Sequence, residues 1–364
     1  MNILLLTKIN NLILDSNCKT VEDYTKNHLF FDGINEGFKK LGHKTFLKCE
    51  ESFFIPEYFY IKFNTFSRAI RSIFKKTRFY IIDRYFFSIK IALFCKRNNI
   101  NIIFTETNSS ISPKIIKKFY KNITITQWYG IFPDMNTKDA IIQTLEYDIL
   151  WTPGKLKDDI YQKFKLPIQK FKYIGSGVNL NLHRYEYDED FKYDVVFVGG
   201  CGMYHGNRIE ILEKVSQKFD SFAFYGYGIE NVPDHYLLKK KYKGWINPKE
   251  LRKLYSSSKI ALNLMLDNYE RVEFGFNQRL FEIAACRGAM QICRYDNKIK
   301  NYFDIGKDLE CFDTIDNLID KINFYLLNKK AKNMLVNNSY LKVKKYSYSE
   351  KVKKMMTIMS NESK

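Results

Sequence analysis

Short apolar runs alternate along this chain with longer stretches in which apolar residues recur every three or four positions. Asn2–Thr7 holds the uninterrupted run Ile3-Leu4-Leu5-Leu6 and predicts a strand buried on both faces, the habit of parallel sheets. Residues 28–41 follow with Phe30, Phe31, Ile34, Phe38 and Leu41 at helical spacing. Gly42 closes that helix, and Lys44–Cys49 predicts a second strand. Strand, helix, strand is the opening of a doubly wound α/β domain. Further strands are expected at 101–105, 123–127, 148–152 and 171–174, with helices at 115–119 and 155–163. Gly175–Asn179 breaks the pattern, and the polar stretch 183–193 reads as a linker.

The rhythm then restarts. Strands are expected at 194–198, 221–225, 260–264 and 289–292, with a short strand and turn at 242–245. Helices are expected at 208–219, 249–256, 278–287, 316–326 and from Lys330 onward. The expected fold class is therefore α/β, with two Rossmann-like doubly wound domains. Residues 1–182 form the first, 190–335 the second, and 336–364 a helical tail that crosses back to the N-terminal domain.

Composition narrows the classes. The 364 residues fit two domains of ordinary size, and 45% hydrophobic content is enough for a core in each. The formal charge of +19 admits nucleic acid, an anionic membrane or a phosphorylated substrate as partner, and equally a lysine-rich solvated surface. The basic residues are not gathered into a nucleic-acid module, which disfavours nucleic acid. Between Lys62 and Arg97 there are ten Lys or Arg and one acid, Asp83, interleaved with Phe and Tyr. The whole 58–97 segment suits one or two helices, which either rest on an anionic membrane or pack their aromatics inward and leave the basic face a weak electrostatic role. Seven cysteines without a CxxC or a Cys/His cluster suit reduced, buried thiols in the cytoplasm. No apolar run approaches the ~20 residues that span a bilayer, and the N-terminus does not read as a signal peptide.

The chemistry concentrates in the second half. Phe274-Gly275-Phe276-Asn277-Gln278-Arg279-Leu280-Phe281-Glu282 is a glycine-containing turn running into a helix. Backbone N–H groups and the helix dipole favour an anion beside Asn277 and Arg279. Glu282, one turn later, is placed to accept two hydrogen bonds from a ribose diol. A phosphate site beside a sugar-hydroxyl acceptor is what a nucleoside-diphosphate sugar requires. Arg279 and Glu282 also read as a plain i,i+3 ion pair worth ~0.2–0.5 kcal/mol, and Asn277 as a helix cap. Gly199, Gly200 and Gly202 precede the helix that begins at Arg208; they would let a diphosphate approach the backbone, and a tight strand–helix turn explains them too. Arg208 is a candidate for neutralising the leaving diphosphate, with a surface arginine as the alternative. Tyr227, in the Gly226-Tyr227-Gly228 turn, joins the donor-site candidates.

Asp194-Val195-Val196-Phe197-Val198-Gly199-Gly200 with Asn207-Arg208, then Tyr255–Asn263, then Asn277-x-Arg279-x-x-Glu282-x-x-Ala285-x-x-Gly288, resembles the group-1 glycosyltransferases, most nearly the spore-maturation CgeB-like subgroup. The resemblance is good over 190–350, weaker over 100–180 and faint before residue 100. It implies the GT-B fold, with two Rossmann-like domains facing across a cleft, an N-terminal domain that binds the acceptor and a C-terminal domain that binds the donor. It also implies metal-independent transfer with retention at the anomeric carbon. Lys243-Gly244-Trp245-Ile246 lies where related enzymes seat the base, so Trp245 and Ile246 become base contacts, although such a Trp is as often core. One departure stands out. Many members carry two glutamates with seven residues between them; here the earlier position is Phe274, with Glu273 one residue off.

Departure of a nucleoside diphosphate builds negative charge on the β-phosphate, and fixed cations and N–H groups stabilise it. For the acceptor, Asp134 in the Trp128–Asp134 loop and His28 are the candidate catalytic groups, each with a structural reading beside it; His183 and His205 come behind them. The expectation is a cytoplasmic, membrane-peripheral transferase that uses a nucleoside-diphosphate hexose, UDP before GDP. Its acceptor would be a glycan, a lipid-linked glycan or a protein, and it needs no metal or cofactor. The alternatives are a catalytically silent nucleotide-sugar-binding homologue and a basic nucleic-acid-binding protein.

Overall fold

A computed structural model describes residues 1–7, 30–49, 79–106, 109–129, 145–163, 165–201, 207–265 and 272–362. The chain divides into two compact units. The first comprises Met1–Gly175 together with Tyr348–Lys364, and the second is Ser176–Ser347. Each is built on a parallel sheet.

In the first unit, β1 (Asn2–Thr7), β2 (Lys44–Cys49), β3 (Ile102–Glu106), β4 (Thr124–Trp128), β5 (Ile149–Thr152) and β6 (Phe171–Tyr173) lie in the order β2-β1-β3-β4-β5-β6. Ile3 to Leu6 are fully buried because β1 is central and has a core on each side. Helix α1 (Phe31–Lys40) packs its Phe31, Ile34 and Phe38 onto one face; α2 (Phe79–Arg97) and α3 (Pro113–Phe119) serve the other. Helix α4 spans Asp158–Lys163, shorter than the 155–163 expected, since Lys155–Leu156 is extended.

The aromatics of α2 only partly follow the inward-packing expectation. Phe87 is buried, whereas Phe79, Tyr85 and Phe86 are exposed. Apolar residues run almost all round this helix, so one sheet-facing stripe cannot cover them. The remainder of the basic segment lies outside the described residues. No helix among the described residues is long and apolar enough to cross a membrane.

The second unit holds β7 (Val195–Gly200), β8 (Phe222–Tyr227), β9 (Ile260–Asn263), β10 (Met290–Arg294) and β11 (Glu310–Phe312) in the order β11-β10-β9-β7-β8. Between them run α5 (Arg208–Lys218), α6 (Leu237–Lys241), α7 (Pro248–Ser257) and α8 (Arg279–Cys286), followed by α9 (Ile315–Leu327) and α10 (Lys329–Val343). Helix α7 starts at a capping box: the Asn247 side chain accepts from the N–H groups of Lys249 and Glu250, the Glu250 side chain reaches back, and Pro248 takes the first helical position. Among the described residues, the short α6, strand β11 and a short strand at Val272–Phe274 went unread in the sequence.

Helix α8 ends differently from its sequence reading. Its left-handed C-terminal residue is Arg287 (φ 55°), not Gly288. Gly288 is required for packing instead, since a Cβ there would lie 2.1 Å from the Ser256 carbonyl oxygen. The chain returns to the first unit as α11 (Tyr348–Glu362), which lies against α1. Gly33 and Gly37, one turn apart, allow that approach; added Cβ atoms would sit 2.9 Å from the Tyr348 Cβ and 2.8 Å from the Val352 Cγ2. The crossing-back helix is thus present, but it begins at Tyr348, and α10 stays with the second unit.

Candidate active site

In both sheets the first strand lies beside the second on one side and the third on the other. The chain winds away in opposite directions from that pair, which leaves a crevice at the carboxyl ends of the strands. In the second unit the pair is β7 and β9. The side chains gathered at its end come from four separate stretches of sequence.

Arg208, the first residue of α5, is buried. Its Nη1 donates to the Gly200 carbonyl and its Nη2 to the Leu264 carbonyl, both at 2.6 Å. One guanidinium thus ties together the carboxyl ends of β7 and β9. Arg279, the first residue of α8, is half-buried, and its Nη1 lies 3.5 Å from the Asn263 Oδ1. Its Nη2 occupies the place where a Cβ on Gly199 would come within 2.8 Å, so the glycine makes room for the arginine. Both guanidinium carbons stand 5.4 Å from the centre of the Phe197 ring. A buried aromatic face near two cations helps hold them in place.

Asn263 ends β9 and exchanges amide hydrogen bonds with Asn277: its Nδ2 donates to the Asn277 Oδ1 (3.1 Å) and its Oδ1 accepts from the Asn277 Nδ2 (2.7 Å). The Asn277 Oδ1 also accepts the Leu280 N–H at 3.1 Å, so Asn277 caps the start of α8. The helix that carries Arg279 and Glu282 is thereby pinned to the end of the strand. The Tyr255 phenol sits behind Arg279; burial pushes its pKa far up, while Arg279 pulls the other way, so the hydroxyl stays protonated.

Glu282 is buried on the same helix. It does not pair with Arg279, the bland reading of their spacing; its Oε1 lies 3.6 Å from the Nε2 of His183. His183 is fully buried and its pKa is lowered, chiefly by desolvation, with Glu282 opposing. Gly200 lies under the Tyr227 ring, which is itself exposed. Gly226 faces Gly199 so closely that a Cβ would fall 1.9 Å from the Gly199 carbonyl oxygen, at a φ of +142° that side chains avoid. The Gly226 N–H donates to the Gly244 carbonyl at 2.9 Å, which brings the Lys243–Ile246 turn to the end of β8. There Trp245 is exposed, while the Ile246 side chain belongs to the core with Tyr225 and Leu254.

The structure therefore brings together Gly199, Gly200, Arg208, Asn277, Arg279 and Glu282, with Tyr227 and the Trp245 turn at the end of neighbouring β8. Gly202, His205, Asp134 and His28 lie outside the described residues. His183 falls in the second unit, behind Glu282. Sequence reasoning missed Phe197, Asn263 and Tyr255. The usable signal for Asn263 was an amide ending an apolar strand at the same edge as Gly199 and Gly200. The chain also contains one Asp-x-Asp, Asp188-Glu189-Asp190, the triplet that would suggest a bound metal. Asp188 accepts from the Asp190 N–H and pairs with Lys253, and Glu189 pairs with Lys192, so the triplet closes a turn here.

Residues 208–357 match the family described as glycosyl transferase-like. No curated protein matches. Among solved structures the chain resembles a glycosyltransferase from Rickettsia africae (15% identity, 98% of this chain and 97% of that one, TM-score 0.58). It also resembles a sucrose-phosphate synthase from Thermosynechococcus elongatus (12%, 99% and 98%, TM-score 0.61). A third is an alpha-glucosyltransferase in complex with UDP-glucose and DNA containing an abasic site (12%, 99% and 99%, TM-score 0.65). The two parallel sheets agree with these likenesses: the chain has the GT-B fold, and its second unit carries the glycosyl transferase-like match that begins at Arg208.

Proposed function

We propose that the second unit binds a nucleoside-diphosphate hexose, UDP-linked before GDP-linked, and that the chain moves the sugar to a glycan, lipid-linked or protein acceptor. The observation that carries this reading is the pair of guanidinium groups, Arg208 and Arg279, set over Phe197 at the end of β7 and β9, with Glu282 one turn beyond Arg279. In this reading Arg279 meets the diphosphate, and Arg208 holds the strand ends that frame it. The Glu282 carboxylate takes the ribose hydroxyls, and Tyr227 with the Trp245 turn borders the base. As the leaving diphosphate gains charge, the fixed cations stabilise it without having to reorganise. The reaction proceeds without a metal and with retention, as in the group-1 enzymes that the motifs resemble, and the CgeB-like subgroup remains the nearest pattern. UDP is favoured because a structural neighbour was solved with UDP-glucose. Acceptor binding falls to the first unit, and Lys90, Lys96 and Arg97 on α2 suit work at an anionic membrane surface.

One observation supports a second reading, a homologue that binds the donor without turning it over: Phe274 stands where many relatives have the first of two glutamates. Thermal shift with UDP, GDP, dTDP and a random oligonucleotide, followed by a nucleotide-sugar hydrolysis assay, separates the possibilities. A ligand at 100 times its Kd stabilises by about 2.7 kcal/mol, well within reach of that measurement. Stabilisation by UDP with slow hydrolysis supports the enzyme, and stabilisation without hydrolysis supports the silent homologue. A response to the oligonucleotide alone would overturn both.

A further inference from the structure

His183 lies in the stretch that reads as a linker, yet it is fully buried. A buried imidazole needs a partner for each polar atom, and Nε2 has no hydrogen bond in the structure. It is aimed at the Glu282 Oε1, 3.6 Å away. On the other side of the ring, Nδ1 lies 3.3 Å from the Asn179 carbonyl oxygen. That oxygen already accepts the His183 backbone N–H at 2.8 Å. Of the two acceptors that flank the ring, the carboxylate is therefore the one that gains more from its proton. Burial disfavours the charged ring, which leaves a single ring proton to place. The other charged neighbour, Arg252 on α7, is held in an ion pair with Glu186 at 2.6 Å.

We infer that His183 is a positioning residue for the donor's ribose: its Nε2–H holds one oxygen of Glu282 and leaves the other turned toward the 2′- and 3′-hydroxyls. The geometry gives an otherwise unexplained buried imidazole a task. Two bonds to one carboxylate need it in a single orientation, and a free buried carboxylate can rotate. Asn179 adds to the arrangement. Its Oδ1 accepts the Asn181 and Leu182 N–H groups at 3.0 and 3.3 Å, so the turn that delivers His183 is itself fixed. The inference rests on the donor reading proposed above.

The test compares UDP with 2′,3′-dideoxy-UDP by titration calorimetry. Wild-type protein should bind UDP about 10-fold more tightly, the worth of a hydrogen bond to a charged group. In His183→Phe that ratio should fall to near unity while dideoxy-UDP affinity stays unchanged. His183→Gln, whose amide nitrogen can stand in for Nε2, should recover most of the ratio. A His183→Phe protein that keeps the ratio overturns the inference. So does a parallel loss of both nucleotides in His183→Phe and His183→Gln, which marks a purely structural role. Wild-type protein that binds UDP without preferring its hydroxyls also overturns it, whereas wild-type protein that binds neither nucleotide overturns the donor reading first.

Discussion

The two units share a winding pattern and differ in what ends their strands. In the second, β7 closes on Gly199 and Gly200, β9 on Asn263, and two arginines enter from the starts of α5 and α8. In the first, β1 ends at Thr7 and β3 at Glu106, and the Thr7 Oγ1 donates to the Glu106 Oε1 at 2.9 Å. One switch point is cationic, with glycines that make room for Arg279 and the Tyr227 ring. The other offers a carboxylate and hydroxyls. The shared topology supplies a crevice in each unit, and the terminal residues decide its chemistry: the first arrangement suits a diphosphate, the second a sugar hydroxyl.

Arg279→Ala should break this contrast most sharply. Removing one fixed charge from a developing anion typically costs about 10²–10³-fold in turnover, so nucleotide-sugar hydrolysis should fall by that order. The denaturation midpoint should barely move, because Arg279 is half-buried and its contact to Asn263 is long. Arg208→Ala should do the reverse and act first on stability. Two charge-assisted bonds to strand-end carbonyls are lost, at about 1.5–3 kcal/mol each, so urea unfolding should show a loss of about 3–6 kcal/mol. If the two variants behave alike, the division of labour between the arginines is wrong.

Glu106→Gln sharpens the other half of the comparison. It should lower transfer to an acceptor by about 10-fold, in line with a lost charged hydrogen bond, while UDP affinity and slow hydrolysis hold. An equal loss of hydrolysis would place Glu106 outside acceptor handling. The smallest effect concerns pH. The folded-state pKa of His183 is lowered below its ordinary 6.5, so the unfolded chain binds a proton that the folded chain refuses. Its contribution to stability is fully present above pH 6.5 and declines as pH falls below that value, by at most about 1.4 kcal/mol per pH unit. Urea midpoints between pH 7.5 and 5 should show this decline, and His183→Gln should flatten it.

Much of this was legible in the chain. Runs such as Ile3–Leu6 and Val195–Val198 announce central parallel strands because only such strands are buried on both faces. Arg279 and Glu282 were readable because one helix carries both at fixed spacing. Phe197, Asn263 and Tyr255 were not, because their proximity to the arginines arises from strand order and not from distance along the sequence. His183 is the instructive case. Residue 183 opens a polar stretch and reads as a surface linker, yet the chain folds it under Glu282. Gly288 was noticed for the wrong reason: a helix that stops at a glycine suggests a conformational cap, whereas here the glycine spares a collision with Ser256.

The late return of α11 has a bearing on synthesis. Residues 176–347 form a contiguous block and can close their own core as soon as they leave the ribosome. The earlier-made unit must wait for the last helix, since Phe31, Ile34 and Phe38 share their core with Tyr348, Val352 and Met355. The portion translated first is thus finished last, and a nascent chain halted at residue 347 would hold a completed second unit and a first unit whose α1 still lacks its covering helix.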